Sequence, residues 1–371
     1  MVLKKWDLLC VILRNETRVV SPTPHEYTRP STAWLLILTK SPMRAVVITR
    51  YGGPEVLDVR EIEPPSPGPR EVLIRVRASA LNRADILQRM GRYPAPPDVA
   101  KDVSGIEFAG EVAAIGAGCS LWSSGDRVMG LVSGGAHADF VVVNEATLLR
   151  IPAGWTWAEA AAAPEAFITA YDALVTQAGL RSGETVLIHA VGSGVGLAAT
   201  QLVRSWGGIP YGTSRTGQKI VAAVSRGLVD GVAVTSDIAA VVTSARRWTS
   251  GRGVDIVLDL VGGHYVAVSI DALARMGRLL LVGTIGGPRA TIELGRVLAK
   301  RLTIRGTVLR SRSLEEKVLV TRAFEGDVMP RFANGDLKPD IDSVYPISAI
   351  ADAHRRMESN ASCGKVVLLM D

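Results

Sequence analysis

The chain predicts an α/β fold in which a doubly wound parallel sheet is joined to a smaller β-rich domain, and three observations carry that reading. From about Glu159 onward, six apolar runs of strand length, 185–190, 208–214, 231–235, 254–261, 278–283 and 302–309, alternate with helix-length connections. Parallel neighbours require such crossovers. The first run ends in Val191-Gly192-Ser193-Gly194-Val195-Gly196 and opens a helix-like segment from Leu197 to Trp206, the order of a strand, a phosphate-cradling turn and a helix. Before Glu159 the runs are short, β-patterned and separated by proline and glycine, as in a small β-rich unit.

In chain order, segments 44–49 and 71–78 are β-patterned, with the loop Pro64-Pro65-Ser66-Pro67-Gly68-Pro69 between them, and 107–115, 127–131 and 138–143 continue the pattern. Later strands end in small residues, Gly262-Gly263 and Gly283, and in a doubly wound sheet the ligand lies outside such carboxyl ends. After Leu309 the chain is mixed again, and its last strand, 364–370, is expected to return to the β-rich half. The expected division is therefore 43–161 for the first domain, 162–305 for the sheet domain and 306–371 for the return. Residues 1–42 read differently. They are interrupted by Pro22, Pro24, Pro30 and Pro42, their apolar runs are too short to span a bilayer, and Asp7, Glu16 and Glu26 argue against an organellar presequence. A disordered extension, or a start assigned too early with Met43 as the true one, is the expectation.

With 371 residues and 47% hydrophobic content the chain can bury two ordinary cores, and 5% aromatic content suits an Ala/Val/Gly-rich α/β protein. Cys10, Cys119 and Cys363 are too few and too scattered for a disulfide framework or a four-cysteine zinc lobe. A reducing, cytoplasmic setting is expected. Of the net charge of +6, half lies in residues 1–42, with six Lys/Arg against three Asp/Glu, so the folded part calls for neither nucleic acid nor a membrane.

Gly192, Gly194 and Gly196 would relieve a tight turn in any strand-to-helix junction, but the six-strand context assigns them, with Ser193 and Val195, to a pyrophosphate held at a helix N-terminus. The second strand, ending at Ser214, would face the adenosine ribose. No Asp or Glu occurs between Glu184 and Asp230, whereas an NAD site usually places a carboxylate there. Ser214, Arg215 and Lys219 supply donors and positive charge instead. NADPH is thus expected in preference to NADH, with Gly262 and Gly283 in the flanking loops. Arg312 reads equally as a surface cation or a cofactor contact.

The chain resembles the medium-chain dehydrogenase/reductase superfamily, specifically its zinc-independent quinone oxidoreductase branch. The motifs are Gly52-Gly53-Pro54-Glu55-Val56-Leu57, Leu81-Asn82-Arg83-Ala84-Asp85-Ile86-Leu87-Gln88-Arg89, Pro164-Glu165-Ala166-Phe167-Ile168-Thr169-Ala170-Tyr171, the 186–196 loop and Asp255-Ile256-Val257-Leu258-Asp259. Gly91-Arg92-Tyr93-Pro94 and Leu309-Arg310-Ser311-Arg312 look most like the tumour-suppressor-induced quinone oxidoreductase subfamily. The chain departs from the pattern at Val191, where Gly or Ala is usual.

The resemblance implies a GroES-like catalytic domain facing a Rossmann cofactor domain, and a homodimer joined through the 302–309 strand. Where zinc-dependent relatives have Cys and His ligands this chain has Asn82 and Ile106, so no catalytic metal is expected. The resemblance places Thr169 near the nicotinamide, although a helix threonine can simply bond back to its own helix. Asn82 would orient substrate or nicotinamide, and Tyr93 would donate to the carbonyl that gains charge. Glu107 is expected as a buried carboxylate paired with an arginine. The implied activity is hydride transfer from NADPH to a quinone. An enoyl or enal reductase is the alternative, and a binding protein acting on RNA or a protein partner finds no support in the charge pattern.

Overall fold

Among the described residues, fifteen strands in three sheets place one glycine-rich turn against a second β architecture. The structure is a computed structural model and describes residues 41–96, 99, 102–235 and 237–370; the expectation for residues 1–42 lies almost wholly outside them. In the first half, β1 (Met43–Ile48) and β2 (Leu57–Ile62) form an antiparallel pair. Beyond them come β3 (Glu71–Ala80), β4 (Glu107–Ile115), β5 (Arg127–Leu131), β6 (Phe140–Asn144) and β7 (Leu148–Arg150). The second half holds β8 (Thr185–Ile188), β9 (Ile209–Ser214), β10 (Asp230–Ala233), β11 (Val254–Asp259), β12 (Leu273–Leu281) and β13 (Thr303–Gly306). After these, β14 (Ile341–Pro346) and β15 (Lys365–Leu369) return to the first half, giving a seven-stranded sheet ordered β14-β15-β3-β4-β5-β7 with β6 on β3.

The six later strands make one parallel sheet ordered β10-β9-β8-β11-β12-β13. Its strand order reverses between β8 and β11, so the turn after β8 lies at the crevice where doubly wound sheets bind ligands. β8 is buried throughout because helices cover both faces. β12 starts at Leu273, ahead of the expected 278, since Arg275 and Met276 are exposed and Met276 takes φ 62°, which interrupts the apolar run. β2, β7 and β14 had no sequence signal: they are six, three and six residues long, and the first and last are mostly polar or half-exposed.

The halves share an apolar seam. Ala160–163 are fully buried, and these small side chains let the helices Trp157–Ala162 and Pro164–Tyr171 approach β3 and β4 closely. The same core continues through Val186, Ile188 and Leu258 of the parallel sheet and Phe324 of the helix Leu314–Ala333. A buried side chain of the size of Phe324 contributes about 1.5–3 kcal/mol, so the junction is packed as a core rather than hinged on a linker.

Candidate active site

The turn after β8 is shaped by close approaches. Ser193 caps the helix Gly194–Ser205: its Oγ accepts from the Gly196 N–H at 3.1 Å and donates to the Ala190 carbonyl at 2.8 Å. A Cβ on Gly196 would stand 2.6 Å from the carbonyl oxygens of Ala190 and Val191, so only glycine fits. At Gly192 and Gly194 it would meet the stems of Lys219 and Lys365 at 2.7 and 2.5 Å. The departure at Val191 is absorbed by Gly212, where a Cβ would lie 2.8 Å from the buried valine. Val195 sits half-buried on the first helical turn. Across the crevice Gly262, with φ +69°, abuts the Gly283 carbonyl, and Gly283 abuts that of Leu260. These backbone-to-backbone contacts shape a cradle that fits a pyrophosphate on a helix N-terminus.

Beyond β9, Ser214 is buried and Arg215 exposed. Lys219 donates from Nζ to the Asn360 carbonyl at 2.7 Å, and Arg83, from the other half, reaches the Asn360 side chain. Burial, then the Arg215 charge, lowers the Arg83 pKa; burial, then Arg215 and Arg83 against partial relief from Cys363 and Asp342, lowers that of Lys219. Three cations thus repel one another at the ribose end of the cradle. That donor set fits a phosphate dianion. Arg83 escaped the sequence reading because it lies more than a hundred residues before the other two, on a helix of the opposite half.

Asn82 lies beside a second cluster. Its Nδ2 donates to Glu107 Oε1 at 2.8 Å and to the Ala80 carbonyl at 3.2 Å, while its Oδ1 accepts from Lys365 Nζ at 2.6 Å. Both ends of the amide are engaged, so Asn82 ties β15 to β4. Glu107, with no exposure, pairs with Lys365 at 2.6 Å, and the expected arginine partner is replaced by a lysine. Its other oxygen accepts from the Glu165 N–H at 2.8 Å, and Thr169 donates to Glu165 Oε1 at 3.3 Å rather than to its own helix backbone. The network therefore joins Asn82 to Thr169 through two carboxylates. Burial, then the Glu107 charge, pushes the Glu165 pKa up to about 8.

Glu165 faces a small pocket of about 40 Å³ whose walls include Ile106, Leu131, Val132, Leu309 and Arg310. The Tyr93 ring lies outside that wall, 5.0 Å beneath the Arg310 guanidinium, and burial raises its pKa. Arg312 is turned away: both of its terminal nitrogens bind Asp172, at 3.1 and 2.6 Å, and one also binds Thr307. A buried ion pair thus occupies the residue offered as a cofactor contact. Ser79, His137 and Asp85 line up like a nucleophilic triad, but all have no exposure and serve packing. Among the described residues, no three His, Cys, Asp or Glu side chains converge as a metal site, and no helix is long and apolar enough to cross a membrane.

A GroES-like sheet fused to a doubly wound parallel sheet, with a glycine cradle at the switch point, defines an oxidoreductase architecture. The alcohol dehydrogenase GroES-like domain model matches residues 68–153, and the zinc-binding dehydrogenase model matches 231–368. Human quinone oxidoreductase is 32% identical over 338 residues, covering 88% of this chain and 98% of its own. Among solved structures, mycobacterial Rv1454c complexed with NADPH aligns with a TM-score of 0.80 at 28% identity, over 88% of this chain and 100% of that one. The JamJ enoyl reductase aligns with a TM-score of 0.80 at 26% identity, over 90% and 100%. The chain belongs to the medium-chain dehydrogenase/reductase superfamily, and within it is similar to the quinone oxidoreductases.

Proposed function

We propose that the protein is an NADPH-dependent, zinc-free reductase that adds hydride to a quinone or a conjugated enone. The observation that carries this reading is the Arg83, Arg215 and Lys219 group at the end of the glycine cradle, whose mutual repulsion a 2′-phosphate would relieve. Asn82 supports a zinc-free site because its amide is engaged by Glu107 and Lys365, and Ile106 because it offers no ligand atom. A bound reduced nicotinamide would supply the hydride. The chain holds the pyrophosphate on the 192–196 amides, presses Lys365 against the cradle and encloses the acceptor between Leu131, Val132 and Leu309, so that proximity and exclusion of water lower the barrier. The likeness to an enoyl reductase supports a second reading in which the acceptor is a conjugated alkene.

Steady-state assays with NADPH and NADH against quinones, enals and enoyl thioesters, with and without chelator, test the proposal. Turnover should favour NADPH, prefer quinones and survive chelation. Equal affinity for the two cofactors, or stoichiometric zinc whose removal abolishes turnover, sinks it. A homodimer paired through β13 is also proposed, since this edge strand and the nearby exposed Leu294 and Leu298 leave amides and apolar surface uncovered; light scattering showing monomer at micromolar concentration would refute it. Free Cys119 and Cys363 suit a reducing compartment such as the cytoplasm.

A further inference from the structure

Arg310 leads from β13 into the seam between the halves, and only 7% of it is exposed, yet no carboxylate pairs with it among the described residues. Two of its nitrogens are fixed: Nε donates to the Ser133 carbonyl at 2.6 Å and Nη2 to Gln88 Oε1 at 2.7 Å. Tyr93 supports the guanidinium plane from one side. Nη1 has no partner. A buried donor of this kind costs about 1–3 kcal/mol or more when left unmade, so a guanidinium held rigid on two nitrogens and free on the third is built to meet an acceptor. Arg310 forms the pocket wall shared with Glu165, and the rest of that wall is largely apolar. A largely apolar slot that carries a guanidinium, the Lys317 ammonium and a carboxylic acid suits the edge of a flat, uncharged ring or alkene bearing a carbonyl oxygen.

We propose that Arg310 receives the carbonyl oxygen of the acceptor and that Glu165 delivers a proton to it. This rests on the reductase reading above. As the acceptor's conjugated carbon gains hydride from the reduced nicotinamide, a C–H bond forms, the nicotinamide is oxidised by two electrons, and the displaced π pair moves onto the carbonyl oxygen beside Arg310. That oxygen takes the carboxyl proton of Glu165, and the carboxylate left behind regains a proton from water. Glu165 holds this proton at neutral pH because burial, Glu107 and Asp85 outweigh the opposing Lys365 charge and the Thr169 hydrogen bond. The other charged groups lining this pocket are Arg310 and Lys317, with Tyr93 stacked against Arg310 outside it.

The first test is binding of 4-nitrophenol without cofactor, read by phenolate absorbance, in wild type, Arg310→Lys and Glu165→Gln, with benzoate as a second probe. Wild type should bind the phenolate. Arg310→Lys, which keeps the charge but loses the fork, should bind it about tenfold less tightly. The second test is the pH dependence of kcat. It should fall above pH about 8 in wild type, and in Glu165→Gln it should be about 10²-fold lower and lack that limb. Unchanged phenolate binding in Arg310→Lys, or a persisting limb in Glu165→Gln, overturns the proposal, as does tighter binding of benzoate than phenolate. Circular dichroism identifies a misfolded variant, and the wild-type and Glu165→Gln profiles then decide. If phenolate binding depends on Arg310 but no quinone or enone is reduced, the reductase reading fails and the oxygen site stands.

Discussion

Asn82 and Arg83 are neighbours in sequence but belong to two polar clusters built on opposite terms. Around Asn82 every charge is answered: Lys365 lies between Glu107 and the amide oxygen, and Glu107 accepts from two further donors. Around Arg83 cations predominate: the Arg215 charge lowers the pKa of both Arg83 and Lys219, against partial relief from Glu358 and Asp342. Both clusters cross between the halves of the molecule. The first is a clamp, because neutralised burial holds two elements together without a ligand. The second, in the reading proposed above, is a receptor, because cations gathered at a cradle lower their energy when an anion arrives.

The largest effect should come from opening the clamp. Lys365→Ala leaves the Glu107 carboxylate, which has no exposure, buried without its cation, and loss of one member of such a pair costs about 3–5 kcal/mol. Urea unfolding should show it as a lower midpoint. Glu107→Gln, which keeps a hydrogen-bonding shape, should cost less. If Lys365→Ala lowers stability by under about 1 kcal/mol, the Lys365–Glu107 pair does not clamp β15 to β4.

The receptor should answer in the opposite currency, affinity instead of stability. Arg215→Ala and Arg83→Ala should each weaken NADPH binding by about 1.5–3 kcal/mol, the worth of a charge-assisted contact, while leaving NADH affinity near its wild-type value. Without ligand, Arg215→Ala should leave the thermal midpoint unchanged or slightly higher, because a repulsion is relieved, whereas Arg83→Ala also loses the hydrogen bond to Asn360 and should lower it slightly. Calorimetric titration of both cofactors against both variants separates this from general damage. A matched loss for NADH would move these residues from phosphate recognition to loop architecture.

The contrast explains what could be read before folding. The six parallel strands were legible because burial on both faces forces continuous apolar runs between glycines, and the cradle was legible because its constraints are local, as Gly196 against the Ala190 carbonyl illustrates. Arg215 and Lys219 were offered from an absence of acids nearby. Arg83, Lys365 and Glu165 were not, since each reads alone as an ordinary helix or strand charge and acquires meaning only when β15 and the helix Pro164–Tyr171 meet β4. The same blindness misassigned Arg312, whose partner Asp172 lies 140 residues earlier.

A pH-dependent effect sharpens the boundary between clamp and receptor, because Glu165 touches the clamp through its backbone N–H and also lines the pocket. Burial, then Glu107, raises its pKa from 4.5 to about 8. The folded protein therefore keeps a proton that the unfolded chain releases, and between pH 4.5 and about 8 stability falls as pH rises. Below that window both states are protonated and the difference vanishes; above it both are ionised and the loss is complete. Glu165→Gln has nothing to titrate. Its stability relative to wild type should increase steadily from pH 5 to pH 8 and then level, with the crossing set by the hydrogen bond from Thr169. Denaturant midpoints for both proteins across pH 4 to 9 provide the comparison, and parallel curves would place the Glu165 carboxyl in ordinary contact with water and remove it as a proton donor at neutral pH.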